Sequence, residues 1–159
     1  MLSVKIITVG TLKEAYWRDA VTEYSKRLSA FCKLTIVQLK EAKLPDSPSE
    51  KEIYAALESE AGAILSEISP RAYKIAMCVE GKQMPSEKLS QTLEKISSQT
   101  SEVCFIIGSS FGLSDKVKLS SDLRLSVSEL TFPHQLLRVM LLESIYRAFN
   151  ITAGTKYHK

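Results

Sequence analysis

The sequence has few of the features that mark several common classes of protein. Its 159 residues include only three cysteines, Cys32, Cys78 and Cys104, and no two of them form a CxxC pair. This spacing favours free thiols in a reducing compartment over disulfides, and we expect no bound metal. No apolar run approaches the ~18 residues that a membrane-spanning helix requires, so we expect no membrane partner. The apolar segment 2–9 contains Lys5 and lacks a small-residue cleavage site, which predicts a strand in a cytoplasmic protein.

Charge of one sign is not concentrated anywhere in the chain. The net charge of +3 at pH 7 permits an anionic partner but does not require one. Hydrophobic residues make up 45% and charged residues 25% of the sequence, values that exclude a disordered or fibrous chain. The length suits one domain, residues 1–159, because no repeat or linker divides it.

The glycine-rich motifs of common nucleotide-binding folds are also missing. Gly108 and Gly112 flank two serines in "GSSFG", which matches neither G-x-G-x-x-G nor G-x-x-x-x-G-K-[ST]. The first predicted strand ends in a single Gly10. A standard NAD or ATP fold is therefore disfavoured, and these glycines taken alone indicate tight turns.

What the sequence does contain is a regular alternation of strand and helix patterns. Predicted strands cover residues 2–9, 33–39, 73–79, 102–108 and 123–128. Predicted helices cover residues 14–29, 50–67, 85–98 and 133–149, with a short helix before residue 123. A capping box, Ser49-x-x-Glu52, opens the second helix, and the tail after residue 149 is predicted to be irregular. The almost wholly apolar strands predict an α/β fold with a mostly parallel sheet covered by helices.

Three loops of this predicted sheet are candidates for a binding site. In open α/β sheets, ligands bind beyond the carboxyl ends of the strands. That rule selects "VEGKQM" after residues 73–79, "GSSFGLS" after residues 102–107 and "SELTFP" after residues 123–128.

Two polar side chains share one face at the start of the last predicted helix. Pro133 suits a first helical turn, which places His134 in that turn and Arg138 one turn later. If it is buried, the arginine needs an anion, carbonyl oxygens or an interface to satisfy its five donors. Each residue alone is more often a packing or ion-pairing residue. Their combination at a strand-end loop makes them a candidate functional pair, whereas His158 in the tail says little by itself.

Several longer stretches resemble one known family. "VGTLKEAYWRDAVTEYSKRL", "EGKQMPSE", "FIIGSSFGLS" and "LTFPHQLLRVMLLESIYRAFNITAGTKYHK" are similar to the ribosomal RNA large subunit methyltransferase H family. The resemblance spans the chain and implies a SPOUT-type homodimer with a C-terminal trefoil knot, a rare exception to unknotted topology. It implies transfer of a methyl group from S-adenosylmethionine to N3 of a pseudouridine in 23S rRNA. The expected substrate is the assembled 70S ribosome.

The same resemblance implies roles for particular residues. The positions that match the cofactor site are Met77, Gly108, Val127, Ser128, Glu129, Leu130, Thr131 and Phe132. The positions that match catalytic residues are His134, Arg138, Tyr157 and His158. His134 is the candidate base or hydrogen-bonding partner of the uracil edge, and Arg138 is the candidate for holding a phosphate or the uracil anion. Tyr157 and His158 would form the RNA-facing side of the pocket.

Two departures from the family pattern bear on the cofactor site. Related sequences commonly carry Gly-Gly where this chain has Gly108-Ser109, and an acidic residue where it has Cys78. Alternative interpretations are a SPOUT methyltransferase acting on tRNA and a ribosome-binding factor without catalytic activity. A nucleotide-binding α/β regulator is disfavoured by the missing phosphate motifs.

Overall fold

The computed structural model describes residues 1–158 as a single five-stranded sheet with five helices. The strands are β1 (Ser3–Val9), β2 (Lys33–Leu39), β3 (Tyr73–Lys82), β4 (Glu102–Ile107) and β5 (Leu123–Leu125). The helices are α1 (Ala15–Leu28), α2 (Glu50–Ser66), α3 (Ser86–Gln99), α4 (Asp115–Ser120) and α5 (His134–Ala153). Lys159, the last residue of the predicted domain and tail, lies outside the described residues.

The sheet has the order β2-β1-β4-β3-β5, and each of its strand pairs is parallel within residues 1–158. The predicted α/β class and mostly parallel sheet are therefore confirmed. Because every strand runs in the same direction, the carboxyl ends of all five strands lie at one edge of the sheet. That edge is where the three candidate loops meet.

Helices cover both faces of the sheet and bury its central strands. Ile6 and Phe105 belong to a core that includes residues of α1, α3 and α5, whereas Ile7 and Ile106 pack with residues of α2 and α4. Successive side chains of a strand point to opposite faces, so a strand covered on both sides must be apolar at every position. Each fully buried side chain of this size contributes about 1.5–3 kcal/mol to folding.

The three cysteines are free thiols. Cys32 and Cys104 are buried, and burial raises the pKa of Cys104 to about 12 and that of Cys32 to about 11. Both therefore stay protonated and unreactive near neutral pH. Cys78 is only half-buried, at the edge of the candidate site.

The last helix is longer than the sequence pattern predicted. α5 continues past residue 149 to Ala153, although residues 150–153 were predicted to be irregular. The Asn150 amide donates a hydrogen bond to the Tyr146 carbonyl, so this polar residue supports the helix from within. Gly154 then ends the helix in the left-handed conformation, with φ of +69°.

Two strands also differ from the prediction by more than one residue. β5 ends at Leu125, not at residue 128, because the Ser126 hydroxyl donates to the Ser128 carbonyl and turns the chain. β3 continues through Gly81 to Lys82, where a side chain on Gly81 would lie 2.8 Å from the Arg124 backbone. Glycine is therefore needed for the close approach of these two strands.

Candidate active site

A cavity of about 760 Å³ lies beyond the carboxyl ends of β3, β4 and β5. Its walls come from all three loops selected from the sequence, and its volume is typical of a small-molecule site. All of the predicted cofactor positions except Glu129 line it: Met77, Gly108, Val127, Ser128, Leu130, Thr131 and Phe132. Among the predicted catalytic residues, His134 lines the cavity, whereas Arg138, Tyr157 and His158 do not.

The wall after β4 is a tight turn in which Gly108 has no room for a side chain. A Cβ atom on Gly108 would overlap the Gly112 carbonyl oxygen and lie 2.5 Å from the carbonyl carbon. The Gly112 amide donates to the Ser109 carbonyl at 2.9 Å, and Gly112 itself has φ of +84°. These glycines therefore make a tight turn, as their spacing indicated, and this turn also forms part of the cavity.

The loop between β5 and α5 is held in shape by its own hydrogen bonds. The Ser126 hydroxyl donates to the Ser128 carbonyl at 2.8 Å, and the Ser128 hydroxyl accepts from the Leu130 amide at 3.0 Å. The Ser126 amide donates to the Lys82 carbonyl, which ties the loop to β3. Leu130 and Phe111 leave apolar surface exposed among the residues that line the cavity.

His134 and Arg138 meet at the carboxyl end of β1. Arg138 is only 3% exposed, and its Nη2 donates to the carbonyl oxygens of Val9 and Gly10 at 3.2 and 2.9 Å. Its Nε and Nη1, like the buried Nδ1 of His134, have no hydrogen-bond partner among residues 1–158. The arginine thus has carbonyl partners, as the sequence required, while two of its three nitrogens have no hydrogen-bond partner within residues 1–158. Gly10, with φ of +98°, packs against both side chains: a Cβ atom at this position would lie 3.4 Å from His134 Cε1 and 3.8 Å from Arg138 Nη2.

The surroundings of His134 keep its imidazole neutral near pH 7. Burial lowers the pKa of His134, and the positive charge of Arg138 lowers it further. The carboxylate of Glu41, in the loop after β2, acts in the opposite direction and raises this pKa. A neutral imidazole can accept a proton, so His134 has the protonation state that a general base needs.

This environment predicts the direction of a pH effect. The rate of the methyl transfer that the family resemblance implies should be constant near neutrality. It should fall as acidification protonates His134, below the ordinary imidazole pKa of about 6.5. Glu41→Gln should move this fall to lower pH, because it removes the charge that raises the pKa of His134. Rate profiles of both proteins test this, with Glu50→Gln, at the exposed start of α2, as the control. A fall that moves to higher pH in Glu41→Gln would contradict it.

Protonation of His134 should also affect folding stability. Its folded-state pKa lies below the unfolded value, so on acidification the unfolded chain takes up the proton first. The free energy of unfolding should therefore fall as the pH drops through about 6.5. In His134→Ala this part of the fall should be missing, which urea titrations at several pH values would measure.

Arg138→Met should separate stability from activity. The hydrogen bonds of Nη2 offset only part of the cost of burying a guanidinium whose Nε and Nη1 lack partners. We therefore expect the free energy of unfolding to change by no more than about 1 kcal/mol. The rate of methyl transfer should fall about tenfold or more, because the buried positive charge beside His134 is lost. Urea unfolding and turnover measurements test this, and a large loss of stability with normal turnover would contradict it.

Tyr157 and His158 lie in the tail that follows α5 and contact a part of the molecule away from His134. The Tyr157 hydroxyl donates to Glu143 Oε2 at 2.8 Å, and His158 Nε2 lies 2.9 Å from Glu87 Oε1. Glu143 also forms an ion pair with Arg147 at 2.8 Å. Glu143 follows His134 by nine residues, or about 13 Å along the helix. One chain therefore does not bring all the predicted catalytic residues together.

Sequence reasoning missed a buried carboxylate behind the cavity. Glu60 of α2 accepts a hydrogen bond from the Ser109 hydroxyl at 3.0 Å and another from the Ala42 amide at 2.9 Å. The helical spacing could have indicated that Glu60 is buried, because it lies four residues after Ala56 and four residues before Ile64, both of which are buried. Its partners are distant in the sequence, so no local pattern identifies them.

The chain is similar to known proteins over nearly its whole length. A family model described as "Predicted SPOUT methyltransferase" matches residues 2–158. The chain belongs to the SPOUT methyltransferase family. Two relatives, from Streptococcus thermophilus and Bacillus pumilus, are each named "Ribosomal RNA large subunit methyltransferase H". They are 48% and 45% identical to the chain over 159 residues, which covers 99% of this chain and 100% of each relative.

The fold is also found in a solved structure. "A probable methylase family protein" from Haemophilus influenzae is 14% identical and superposes with a TM-score of 0.54. The match covers 98% of this chain and 70% of that one, and it supports the fold alone. The predicted family and methyltransferase activity are confirmed by these similarities, whereas the knot, the homodimer and the residue roles remain predictions.

Two kinds of feature are absent from the described residues. Within residues 1–158, no helix is long and apolar enough to cross a membrane. The same residues contain no group of three or more histidine, cysteine or acidic side chains that could hold a metal ion.

Proposed function

We propose that this SPOUT methyltransferase transfers a methyl group from S-adenosylmethionine to N3 of a pseudouridine in 23S rRNA. The assembled 70S ribosome in the cytoplasm is the proposed substrate. One observation carries the proposal: the cavity at the strand ends combines the three predicted loops with the neutral His134. The relatives named for ribosomal RNA methylation, which align over the full chain, support the choice of substrate.

The residues around the cavity fit S-adenosylmethionine. Met77, Val127 and Leu137 provide apolar surface suited to an adenine ring, and the loop between β5 and α5 offers backbone hydrogen-bonding groups. The cofactor has no phosphate, which agrees with the absence of a glycine-rich phosphate motif in the chain. When bound, it would supply a methyl group already activated on a sulfonium centre.

The chain's own residues would orient the base and handle its proton. His134 would accept the N3 proton of the pseudouridine, because it lines the cavity and its imidazole is neutral. Arg138, buried one turn further along α5 and outside the cavity lining, would stabilise the negative charge left on the base through its positive charge, without direct contact. Correct alignment of the reacting atoms can by itself lower the barrier by several kcal/mol, roughly 7 or more in favourable cases.

Recognition of the RNA is proposed to depend on shape and on a second subunit. The net charge of +3 is small for a nucleic-acid-binding protein, so a folded target on the ribosome would supply specificity. A half-exposed apolar row on α5, formed by Leu136, Val139 and Met140, supports the proposed homodimer. Tyr157 and His158 are proposed to contact RNA, and the trefoil knot is proposed from the family resemblance.

Transfer of radiolabelled methyl groups to different acceptors tests this function. The acceptors are 70S ribosomes, isolated 50S subunits, naked 23S rRNA and total tRNA, all from a strain that lacks the modification. We expect label in the 23S rRNA of 70S ribosomes and little in naked RNA, because the substrate is read as an assembled shape. Label only in tRNA would favour the tRNA methyltransferase, and cofactor binding without label in any RNA would contradict the proposal.

A further inference from the structure

Glu60 is a buried carboxylate that connects two loops of the candidate site. Its side chain is on α2, and the residue is only 6% exposed. Oε1 accepts a hydrogen bond from the Ser109 hydroxyl at 3.0 Å, and Oε2 accepts from the Ala42 amide at 2.9 Å. Both oxygens therefore have a partner, which a carboxylate removed from water requires.

Packing alone does not explain a carboxylate at this position. The neighbouring buried positions of α2 are Ala56, Ala61 and Ile64, and an apolar residue at position 60 would complete this face at lower cost. Replacing buried charged groups by apolar residues is often neutral or stabilising. The carboxylate is thus explained better by what it holds than by what it contributes to the core.

The two groups that Glu60 holds belong to two different loops, one after β4 and one after β2. Ser109 belongs to the tight turn that forms one wall of the cavity. Ala42 directly follows Glu41, whose carboxylate lies near Gly10 and raises the pKa of His134. One side chain therefore fixes the cavity wall and the loop beside the candidate base relative to each other.

We propose that Glu60 is a positioning residue for S-adenosylmethionine, acting through Ser109. Its hydrogen bonds hold the Gly108–Gly112 turn in the conformation that binds the cofactor. Ser109 supplies the hydroxyl for this contact. The inference rests on the proposed function in one respect, that the cavity binds S-adenosylmethionine.

The proposal predicts matched changes in cofactor affinity. Glu60→Ala and Ser109→Ala should each raise the dissociation constant of S-adenosylmethionine about tenfold, because each releases the same turn. The double variant should bind no more weakly than the weaker single variant, since the two side chains act through one contact. Glu60→Gln keeps one oxygen, the amide carbonyl oxygen, as an acceptor, so it should bind S-adenosylmethionine more tightly than Glu60→Ala does.

Isothermal titration calorimetry with S-adenosylmethionine on the full chain is the test. Steady-state kinetics should show a higher KM for the cofactor with kcat changed much less, which a general loss of stability would not produce. Hydrogen exchange of the amides in residues 108–112 should be faster in Glu60→Ala and Ser109→Ala. Glu58→Gln, on the same helix and without a side-chain hydrogen bond in residues 1–158, is the control and should bind normally.

The possible results separate this inference from the proposed function. If the wild-type chain binds S-adenosylmethionine and the Ser109→Ala variant binds equally well, the inference is wrong and the proposed function stands. Losses of affinity that add in the double variant would also overturn it. A wild-type chain that does not bind S-adenosylmethionine would contradict the proposed function and this inference with it.

Discussion

Replacing His134 by alanine is expected to lower kcat for methyl transfer about a hundredfold, the usual minimum contribution of a general base. The imidazole is neutral near pH 7 because burial and Arg138 lower its pKa, so it can take the N3 proton of the base. The dissociation constant of S-adenosylmethionine should change little, since the apolar side chains and loop backbone that surround the cofactor remain. Single-turnover rates and calorimetry measure the two effects separately.

Two further variants define what His134 does. Gln135→Ala alters the next residue, which also lines the cavity, and should leave kcat close to that of the wild type. His134→Gln keeps hydrogen-bonding capacity but cannot be protonated in this pH range, so it should be nearly as slow as His134→Ala. Full turnover with normal cofactor affinity in His134→Ala would show that the proton leaves by another route.

Replacing Gly108 by alanine is expected to damage the cofactor site directly. The new Cβ atom would overlap the Gly112 carbonyl oxygen, and because the obstacle is backbone, the whole turn must open. We expect a loss of about 1–3 kcal/mol in the free energy of unfolding, as for other overpacked sites. The affinity for S-adenosylmethionine should fall at least about tenfold, because the displaced turn is a wall of the cavity.

Gly62→Ala provides the matched control for this change. Gly62 lies inside α2 with nothing within 4 Å of an added Cβ atom. The substitution should stabilise the protein by about 0.5–1 kcal/mol, since alanine loses less conformational entropy in a helix than glycine. Urea unfolding and calorimetry of both variants test the pair. Normal cofactor binding in Gly108→Ala would show that this turn does not shape the site.

The fold could be predicted because its main determinants are local. The apolar runs at residues 73–79 and 103–107 identified strands buried on both faces, and the alternation with helices identified a parallel sheet. The errors lie where tertiary contacts overrule local preference. Asn150 continues α5 through a hydrogen bond to Tyr146, and the turn at Ser126 ends β5 early.

The site could be predicted in part for the same reason. Parallel strands bring their carboxyl ends together, so the three loops that follow them could be selected without coordinates. The pairing of Arg138 with the carbonyls of Val9 and Gly10 joins residues 128 or more positions apart, which no local pattern shows. The contact between Glu60 and Ser109 is hidden in the same way, across 49 positions.

The identity of the methylated nucleoside tests the central claim most directly. Ribosomes from a strain lacking the modification would be incubated with the protein and S-adenosylmethionine, and their 23S rRNA digested and analysed by mass spectrometry. We predict that one pseudouridine gains a methyl group on N3, and that ribosomes incubated with His134→Ala gain far less. A methyl group on a different atom or nucleoside, or none despite cofactor binding, would contradict the account.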